Sequence, residues 1–213
     1  MDRKTRIALT LAAAPIVAAT ATAAALVLTG AHRRLGSTAG EIGAILPGDD
    51  ILTGADLQND HAITIAAPPS DVWPWIAQLG QDKAGFYSFE VLENAIGCEI
   101  HGVDRIVPEW QHPKVGDAFP LAPDVALRVA LVDPPHTLVA SSLGGTAPSE
   151  MGFDFTWAFH LTADHAGTRL HVRERYRTSG RAGHLVIEAT SIASAIMTLR
   201  MLHRVRRLAE QRR

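Results

Sequence analysis

The sequence predicts an α+β fold in which a curved antiparallel sheet wraps around one long C-terminal helix. Three patterns support this prediction. Two short segments with helical spacing come early, apolar and polar residues then alternate along several consecutive segments, and a long amphipathic segment closes the chain. If the sheet curves strongly, the space between the sheet and the helix becomes a cavity instead of a solid core.

The first 30 residues of the 213-residue chain form a region of their own. Residues 7–28 contain no charged side chain, and a run of about 20 apolar residues is long enough to cross a bilayer as a helix. We expect a single-pass transmembrane anchor at residues 1–30. Basic residues lie on both flanks, so the side of the membrane on which the main domain lies stays open. A signal peptide cleaved near Ala21, giving a secreted protein, and a buried helix of a soluble protein are the alternatives.

Residues 31–60 are rich in Gly, Asp and Thr without clear periodicity, so we expect a linker there. The folded domain is expected at residues 61–213 and starts with a short β-branched strand at 62–65. Helical spacing then predicts a helix from about residue 70 to Gly80 and a second short helix over residues 89–96.

About six strands are expected after these helices. The first four cover residues 103–107, 117–121, 125–131 and 137–142. The clearest alternation covers residues 153–162, where one face carries Phe153, Phe155, Trp157 and Phe159. In the next strand Glu174 shares a face with Val172 and Tyr176. The closing helix, from about residue 182 to 211, is expected to bury the apolar stripe Leu185, Ala189, Ile192, Ile196, Leu199, Leu202, Val205 and Leu208.

Composition argues against several classes of function. Twenty Lys and Arg against 22 Asp and Glu give a formal charge of −2, so no nucleic-acid partner is expected. Cys98 is the only cysteine, which excludes an intramolecular disulfide and a cysteine-built metal site. The ten histidines lack metal-ligand spacing, and no glycine-rich nucleotide loop is present, so we expect neither a metal nor a cofactor.

Glu174 is the leading candidate functional residue. A carboxylate on an apolar face is costly to bury without a partner, so it is either a general acid or base, a polar anchor for a ligand, or one half of a structural ion pair with an arginine. His101 is the second candidate for catalysis, since its pKa lies near working pH. The expected ligand-binding set combines Glu174 with an aromatic surface, which equally suits ordinary core packing: Phe153, Phe155, Trp157, Phe159, Tyr87, Trp110 and Tyr176.

Two stretches carry a resemblance to a known superfamily. The first is ITIAAPPSDVWPWIAQLGQ, a strand that runs into a helix starting at a Pro-Pro pair, and the strand-strand-helix order after residue 153 supports it. Residues 61–210 thereby resemble the START/Bet v-like helix-grip superfamily, also called SRPBCC, which includes polyketide cyclase/dehydrase-like and lipid transport-like proteins. The second, GFYSFEVLENAIGCEIHGVDRIVPEWQHPKVGD, resembles a block found in membrane-anchored bacterial members.

The resemblance implies a pocket for a hydrophobic ligand and transfers no catalytic residue. We therefore expect the chain to bind a small apolar molecule, such as a lipid or a polyketide-like compound, between the sheet and the C-terminal helix, with transport of that molecule as an extension of binding. A polyketide cyclase or dehydratase-like enzyme that uses a pocket carboxylate or histidine is one alternative. A structural or interaction module with a filled core is the other. The sequence leaves the ligand, any reaction and the oligomeric state open.

Overall fold

The computed structural model describes residues 29–95, 97–146, 152–178 and 180–211. The expected transmembrane segment, residues 7–28, lies outside the described residues. Residues 33–213 form one compact unit, which contains the whole sheet, the long helix and the hydrophobic core. This unit is the part of the chain used for the binding experiments proposed below.

Six antiparallel strands form one sheet in the order β1-β6-β5-β4-β3-β2. The strands are β1 (Leu57–Ile65), β2 (Ala118–Ala122), β3 (Val125–Asp133), β4 (Thr137–Ser141), β5 (Phe153–Asp164) and β6 (Gly167–Thr178). The two longest, β5 and β6, are paired along their full length of 12 residues each. The predicted α+β class, with an antiparallel sheet and a long C-terminal helix consistent with a helix-grip arrangement, is confirmed.

The described residues contain four α-helices and three short 3-10 helices beside the sheet. The α-helices are α1 (Ala39–Gly43), α2 (Pro69–Ala77), α3 (Glu90–Ala95) and α4 (Gly180–Glu210). The 3-10 helices cover Ala31–Arg34, Asp49–Leu52 and Pro108–Trp110. Helix α2 starts directly after Pro68, with Pro69 in the first turn, where a missing backbone N–H costs little.

The strand expected at residues 103–107 is not formed, so five strands follow α3 instead of about six. The backbone of this segment is bound by a side chain. Gln78 donates to the Arg105 carbonyl at 3.0 Å and accepts from the Val107 N–H at 3.1 Å. These bonds satisfy buried backbone groups that a neighbouring strand would otherwise have to satisfy.

The segment expected to be a linker, residues 31–60, is folded against the sheet. Thr38 and Glu41 cap α1 reciprocally, and the Arg173 side chain on β6 donates to the carbonyls of Glu41 and Ala44, both at 2.8 Å. Leu52 is fully buried, and β1 starts at Leu57, four residues before the expected domain start. Gly, Asp and Thr in this segment therefore mark caps and short turns and do not make it a loose tether.

The main core lies between the inner face of the sheet and the C-terminal half of α4. Phe159 and Leu161 of β5 and Leu170 and Val172 of β6 are buried there, together with four helix residues, Met201, Leu202, Val205 and Leu208. In this half the predicted apolar stripe of α4 is correct. The helix therefore holds the sheet mainly through its last three turns.

The N-terminal half of α4 differs from the prediction. Leu185, Ile192 and Ile196, expected to be buried, are 67%, 37% and 52% exposed. The residues that α4 buries here are Ile187, Ser191, Ala195 and Thr198, at helical spacing but mostly small or polar. Two hydroxyl residues of this half bind a buried carboxylate on the sheet, and that contact decides which way the helix faces.

In the described part of the chain, only the stretch Gly183–Glu210 is long and apolar enough to span a membrane, judged by length and composition.

Candidate functional site

A cavity of about 370 Å³ lies between the inner face of β5 and β6 and the middle of α4. The sheet and the segment before α3 contribute aromatic rings: Phe86, Phe155, Trp157 and Tyr176. The helix contributes Thr190, Ala193, Ser194, Met197, Thr198 and Met201. Ser88, Cys98, Leu121 and Glu174 complete the wall. Its size and mostly apolar wall suit a small organic molecule.

Strand register explains why these residues meet. Trp157 of β5 lies opposite Glu174 of β6, and Phe155 lies opposite Tyr176. On the other side of β6, Asn59 of β1 lies opposite Glu174. Cross-strand partners on one face have side chains about 5 Å apart, so the carboxylate is flanked by an indole ring and an amide.

Neutral donors surround the Glu174 carboxylate, whose residue is only 3% exposed. Ser194 Oγ donates at 2.9 Å and Thr198 Oγ1 at 3.3 Å to Oε1. At Oε2, Asn59 Nδ2 donates at 3.0 Å and Tyr176 Oη at 3.1 Å. Ser194 and Thr198 are four residues apart on α4, so both hydroxyls project from the same face of the helix. A carboxylate offers about four acceptor positions, and four donors occupy them.

Within the described residues, no positive side chain neutralises this carboxylate. No Lys, Arg or His among them comes within ion-pair distance of Glu174, although ten other such pairs are present. The cavity wall contains no Lys, Arg or His within the described ranges either. The alternative in which Glu174 pairs structurally with an arginine is therefore not observed in this part of the chain.

Tyr176 is affected by this arrangement. Burial raises the pKa of its phenol well above the usual value, and the negative charge of Glu174 and the hydrogen bond between the two side chains raise it further. The phenol therefore stays protonated at any physiological pH and serves as a permanent donor to the carboxylate.

The aromatic rings form a continuous surface beside Glu174. Phe155 stacks on Tyr176 with ring centroids 4.7 Å apart. Trp157 lies 6.4 Å from Phe155 and 5.6 Å from Phe86, in both cases with tilted rings. These distances are typical of attractive aromatic pairs, so the rings are held in place before any ligand arrives.

Of the aromatic residues expected to bind a ligand, Phe155, Trp157 and Tyr176 line the cavity, as does Glu174. Phe153 and Phe159 share their face of β5 but lie beyond the two ends of the cavity. Phe159 is fully buried in the core against Trp157, and Phe153 packs with Tyr176 in a smaller cluster with Leu57 and Ile187. The alternation predicted the correct face of the strand, but the cavity occupies only part of that face.

Tyr87, Trp110 and His101 do not line the cavity. Tyr87 is buried, and its hydroxyl accepts a hydrogen bond from Gln78 at 2.7 Å. Trp110 is half-buried against the edge of the core. His101 is exposed in the loop after α3. Their positions follow from the irregular segment organised by Gln78, which sequence periodicity does not describe.

Several cavity residues were missed by the sequence analysis. Asn59, Ser194 and Thr198 hold the carboxylate, and Phe86 and Met197 line the wall. The spacing of Ser194 and Thr198 within a helix otherwise rich in apolar residues was a usable signal, because buried hydroxyls need a partner. Nothing local could have identified Asn59, which is 115 residues from Glu174 in the chain.

A second group of buried charges lies on the opposite, outer face of the sheet. Arg173, 1% exposed, donates to Asp60 Oδ1 and to Asp49 Oδ2, both at 2.8 Å. His171 Nε2 is 2.7 Å from the same Asp60 oxygen. Burial alone would raise the pKa of Asp60, but hydrogen bonds from His171 and Arg173 hold it below its usual value. This group is covered by residues 39–52 and attaches that segment to β6.

No group of three or more His, Cys, Asp and Glu side chains is placed to hold a metal ion in the described segments. The polar and reactive groups of the cavity wall are the Glu174 carboxylate, the Cys98 thiol and several hydroxyls, beside the aromatic rings.

Comparison with known proteins gives structural similarity only. No protein-family model and no curated protein matches the chain. A solved protein from Mesorhizobium loti shares 14% identity over 73% of this chain and 98% of its own, with a TM-score of 0.45. A polyketide_cyc-like protein from Corynebacterium glutamicum shares 18% over 76% and 95%, with a TM-score of 0.44. The di-domain ARO/CYC StfQ of the steffimycin biosynthetic pathway shares 10% over 73% and 51%, with a TM-score of 0.43.

The structural neighbours thus include proteins described as polyketide_cyc-like and as a di-domain ARO/CYC. These matches do not show the expected membrane-anchored branch. Similarity at this level carries no argument about what the chain binds. The functional argument therefore rests on the cavity itself.

Proposed function

We propose that the chain binds a small hydrophobic ligand in the cavity between β5, β6 and α4. The observation that carries this proposal is the combination of an aromatic wall with a single buried carboxylate at one side. Apolar contact with the rings supplies affinity, at about 25 cal/mol for each Å² removed from water. The carboxylate supplies orientation, as one or two placed polar groups do in most ligand pockets.

A cyclase or dehydratase-like reaction is the second candidate, because Glu174 is a carboxylate in the cavity wall. A general base needs a lone pair directed at the proton that it removes. The four neutral donors already occupy the acceptor positions of Glu174. His101, the other candidate base, is exposed outside the cavity. These contacts favour binding over catalysis.

A structural module with a filled core is the third candidate. It requires side chains to occupy the space between the sheet and α4. A cavity of about 370 Å³ in that place argues against it, since native interiors leave few voids larger than a water molecule.

Blocking the cavity tests the proposal. In Ala193→Trp the indole would fill space at the helix side of the cavity, whereas in the matched control Ile192→Trp it would lie on the exposed face of α4. Binding of the neutral fluorophore N-phenylnaphthylamine to residues 33–213 is measured by titration. We expect the Ala193 variant to lose affinity at least about tenfold and the Ile192 variant to stay within about twofold. Equal affinity of all three proteins, or no binding to the unmodified chain, would overturn the proposal.

Transport of the ligand is an extension of binding. If the cavity carries lipid-like cargo, the natively purified protein should retain small amphiphiles that are visible by mass spectrometry after organic extraction. Ala193→Trp is the matched negative sample. Recovery of the same compounds from both proteins would show that they are bound elsewhere.

The proposal also includes the N-terminal segment. Residues 7–28 would hold the binding domain at a membrane as an uncleaved anchor, which suits a ligand that partitions into lipid. The full-length chain should then stay in the membrane fraction after alkaline extraction, while a chain starting at Arg33 should be soluble. A mature N-terminus near residue 22, found by mass spectrometry, would instead identify a cleaved signal peptide and a secreted protein.

A further inference from the structure

We infer that the ligand of this cavity is an amphiphilic organic cation, whose positively charged nitrogen lies against Glu174 and the aromatic wall. This inference rests on the proposed binding function and narrows its ligand class. Three observations carry it: the carboxylate has no cationic partner among the described residues, its acceptor positions are already occupied, and aromatic faces flank it.

Glu174 is a buried negative charge, and the partners of the nearby cations bear on how it is compensated. Burying an unpaired carboxylate is expensive, and proteins usually pair such a group or bind a cation with it. Arg173, the neighbouring residue in β6, is bound to Asp60 and Asp49 on the opposite face of the sheet. Arg33 and His184 pair with Glu188 on α4. These three cations therefore have other partners, and the charge of Glu174 is left for a ligand.

The occupied acceptor positions of Glu174 favour a ligand cation over a ligand alcohol. A ligand hydroxyl would have to form a directed hydrogen bond to the carboxylate and so displace Ser194, Thr198, Asn59 or Tyr176. A substituted ammonium group needs no free lone pair, because its attraction to the carboxylate is Coulombic and has little directionality. The saturated hydrogen-bond shell therefore favours a charged nitrogen over a neutral donor.

The aromatic wall beside Glu174 also favours a cation. Trp157 lies directly across the β5–β6 ladder from Glu174, and Tyr176 and Phe155 continue the aromatic surface. A cation within about 6 Å of an aromatic centroid is attracted by the ring quadrupole, most strongly by tryptophan. The remainder of the ligand would contact Met197, Met201 and Leu121, whose flexible or branched apolar side chains accept an alkyl or ring body.

The test uses two probes of the same shape. Phenethyltrimethylammonium is compared with its uncharged isostere, in which a quaternary carbon replaces the nitrogen, by displacement of N-phenylnaphthylamine from residues 33–213. We expect the cation to bind at least about tenfold more tightly than the isostere in the unmodified protein. Thermal unfolding of the full chain with each probe serves as a second measurement.

Glu174→Gln removes the charge and keeps the shape. Its amide oxygen can accept from Asn59 and Tyr176, while its NH₂ group can donate to the Ser194 and Thr198 hydroxyls, so the fold should be retained. The preference for the cation should then fall to about onefold, with affinity for N-phenylnaphthylamine within about twofold. Glu109→Gln, at an exposed position outside the cavity wall, is the control and should leave the preference unchanged.

The outcomes separate the two proposals. If N-phenylnaphthylamine binds in the cavity but the cation shows no advantage over its isostere, the inference about charge is overturned and the hydrophobic-ligand function stands. If the advantage persists in Glu174→Gln, the cation binds elsewhere and the inference is again overturned. If no probe binds the unmodified protein, the binding function itself fails. The comparison of probes in the unmodified protein does not depend on any variant folding.

Discussion

Arg173 and Glu174 are consecutive residues of β6, yet their side chains lie on opposite faces of the sheet and are not paired with each other. Arg173 is bound to two aspartates and three backbone carbonyls under the segment 39–52. Glu174 is bound only to neutral donors beside the cavity. The same two-residue period thus gives one charge structural partners of opposite charge and places the other beside the cavity.

Replacing Arg173 should destabilise the fold strongly. Arg173→Met removes a cation that is 1% exposed and leaves Asp60 buried without it. Breaking such a buried pair typically costs about 3–5 kcal/mol of unfolding free energy. Arg177→Met is the control, since Arg177 and Asp154 form a pair with side chains 42% and 38% exposed, and such pairs are worth about 0–1 kcal/mol. Urea unfolding measures both, and similar losses in the two variants would contradict the structural role of Arg173.

The same strand shows how far sequence reasoning reaches in this protein. Alternation in β5 and β6 correctly placed Phe155, Trp157, Glu174 and Tyr176 on one face, because the side-chain period of a strand is independent of its surroundings. It could not show how much of that face borders a cavity. That depends on where α4 lies, and α4 turns its Ser194 and Thr198 toward the sheet.

Long-range polar contacts account for most of what was missed. The helical stripe was correct where apolar packing decides the orientation of α4 and failed where hydrogen bonds to Glu174 decide it. The segment 39–52 looked like a linker because its partners, such as Arg173, are more than 120 residues away. From the sequence, Gln78 lies near the end of a predicted helix. In the structure its side chain binds the backbone of residues 105 and 107, in the segment where a strand was expected.

Gln78→Leu tests that role. Gln78 is fully buried and hydrogen-bonds Tyr87, Val107, Arg105 and Gln111. Leucine would leave buried donors and acceptors unsatisfied, at about 1–3 kcal/mol for each group. We expect a loss of roughly 3 kcal/mol or more of unfolding free energy. The backbone amides of residues 105–107 should also exchange their hydrogens faster than in the unmodified protein. Slower exchange of these amides would contradict this account. Gln58→Leu, at a half-buried position of β1, is the comparison and should cost less.

Stability should fall when the pH drops from 7 to 5, and His160 should be a main cause. Burial, together with nearby His171 and Arg173, lowers the pKa of His160 from 6.5 to about 4. Because the folded-state pKa lies below the unfolded one, the unfolded chain binds the proton first, and unfolding becomes easier as the pH falls through this window. The expected loss between pH 7 and pH 5 is roughly 2 kcal/mol. The hydrogen bond with Arg169 is the main cause that lowers the pKa of Glu41 from 4.5 to about 2. Glu41 therefore adds to the loss of stability only below about pH 4.5.

Histidine variants separate this effect from general acid sensitivity. His160→Gln should flatten the dependence of unfolding free energy on pH between 5 and 7. His165→Gln is the matched control, because the His165 side chain is 95% exposed. If both variants keep the slope of the unmodified protein, His160 is not the group responsible.

The charge of Glu174 can be tested without any ligand through its bond to Tyr176. A hydrogen bond to a charged group is worth about 1.5–3 kcal/mol, against about 1 kcal/mol between neutral groups. Tyr176→Phe should therefore cost more unfolding free energy in the unmodified protein than in the Glu174→Gln background. A double-mutant cycle by urea unfolding should give a coupling energy of about 1 kcal/mol. A coupling near zero would mean that the phenol senses no buried negative charge, and the electrostatic basis for an organic cation in the cavity would then be lost.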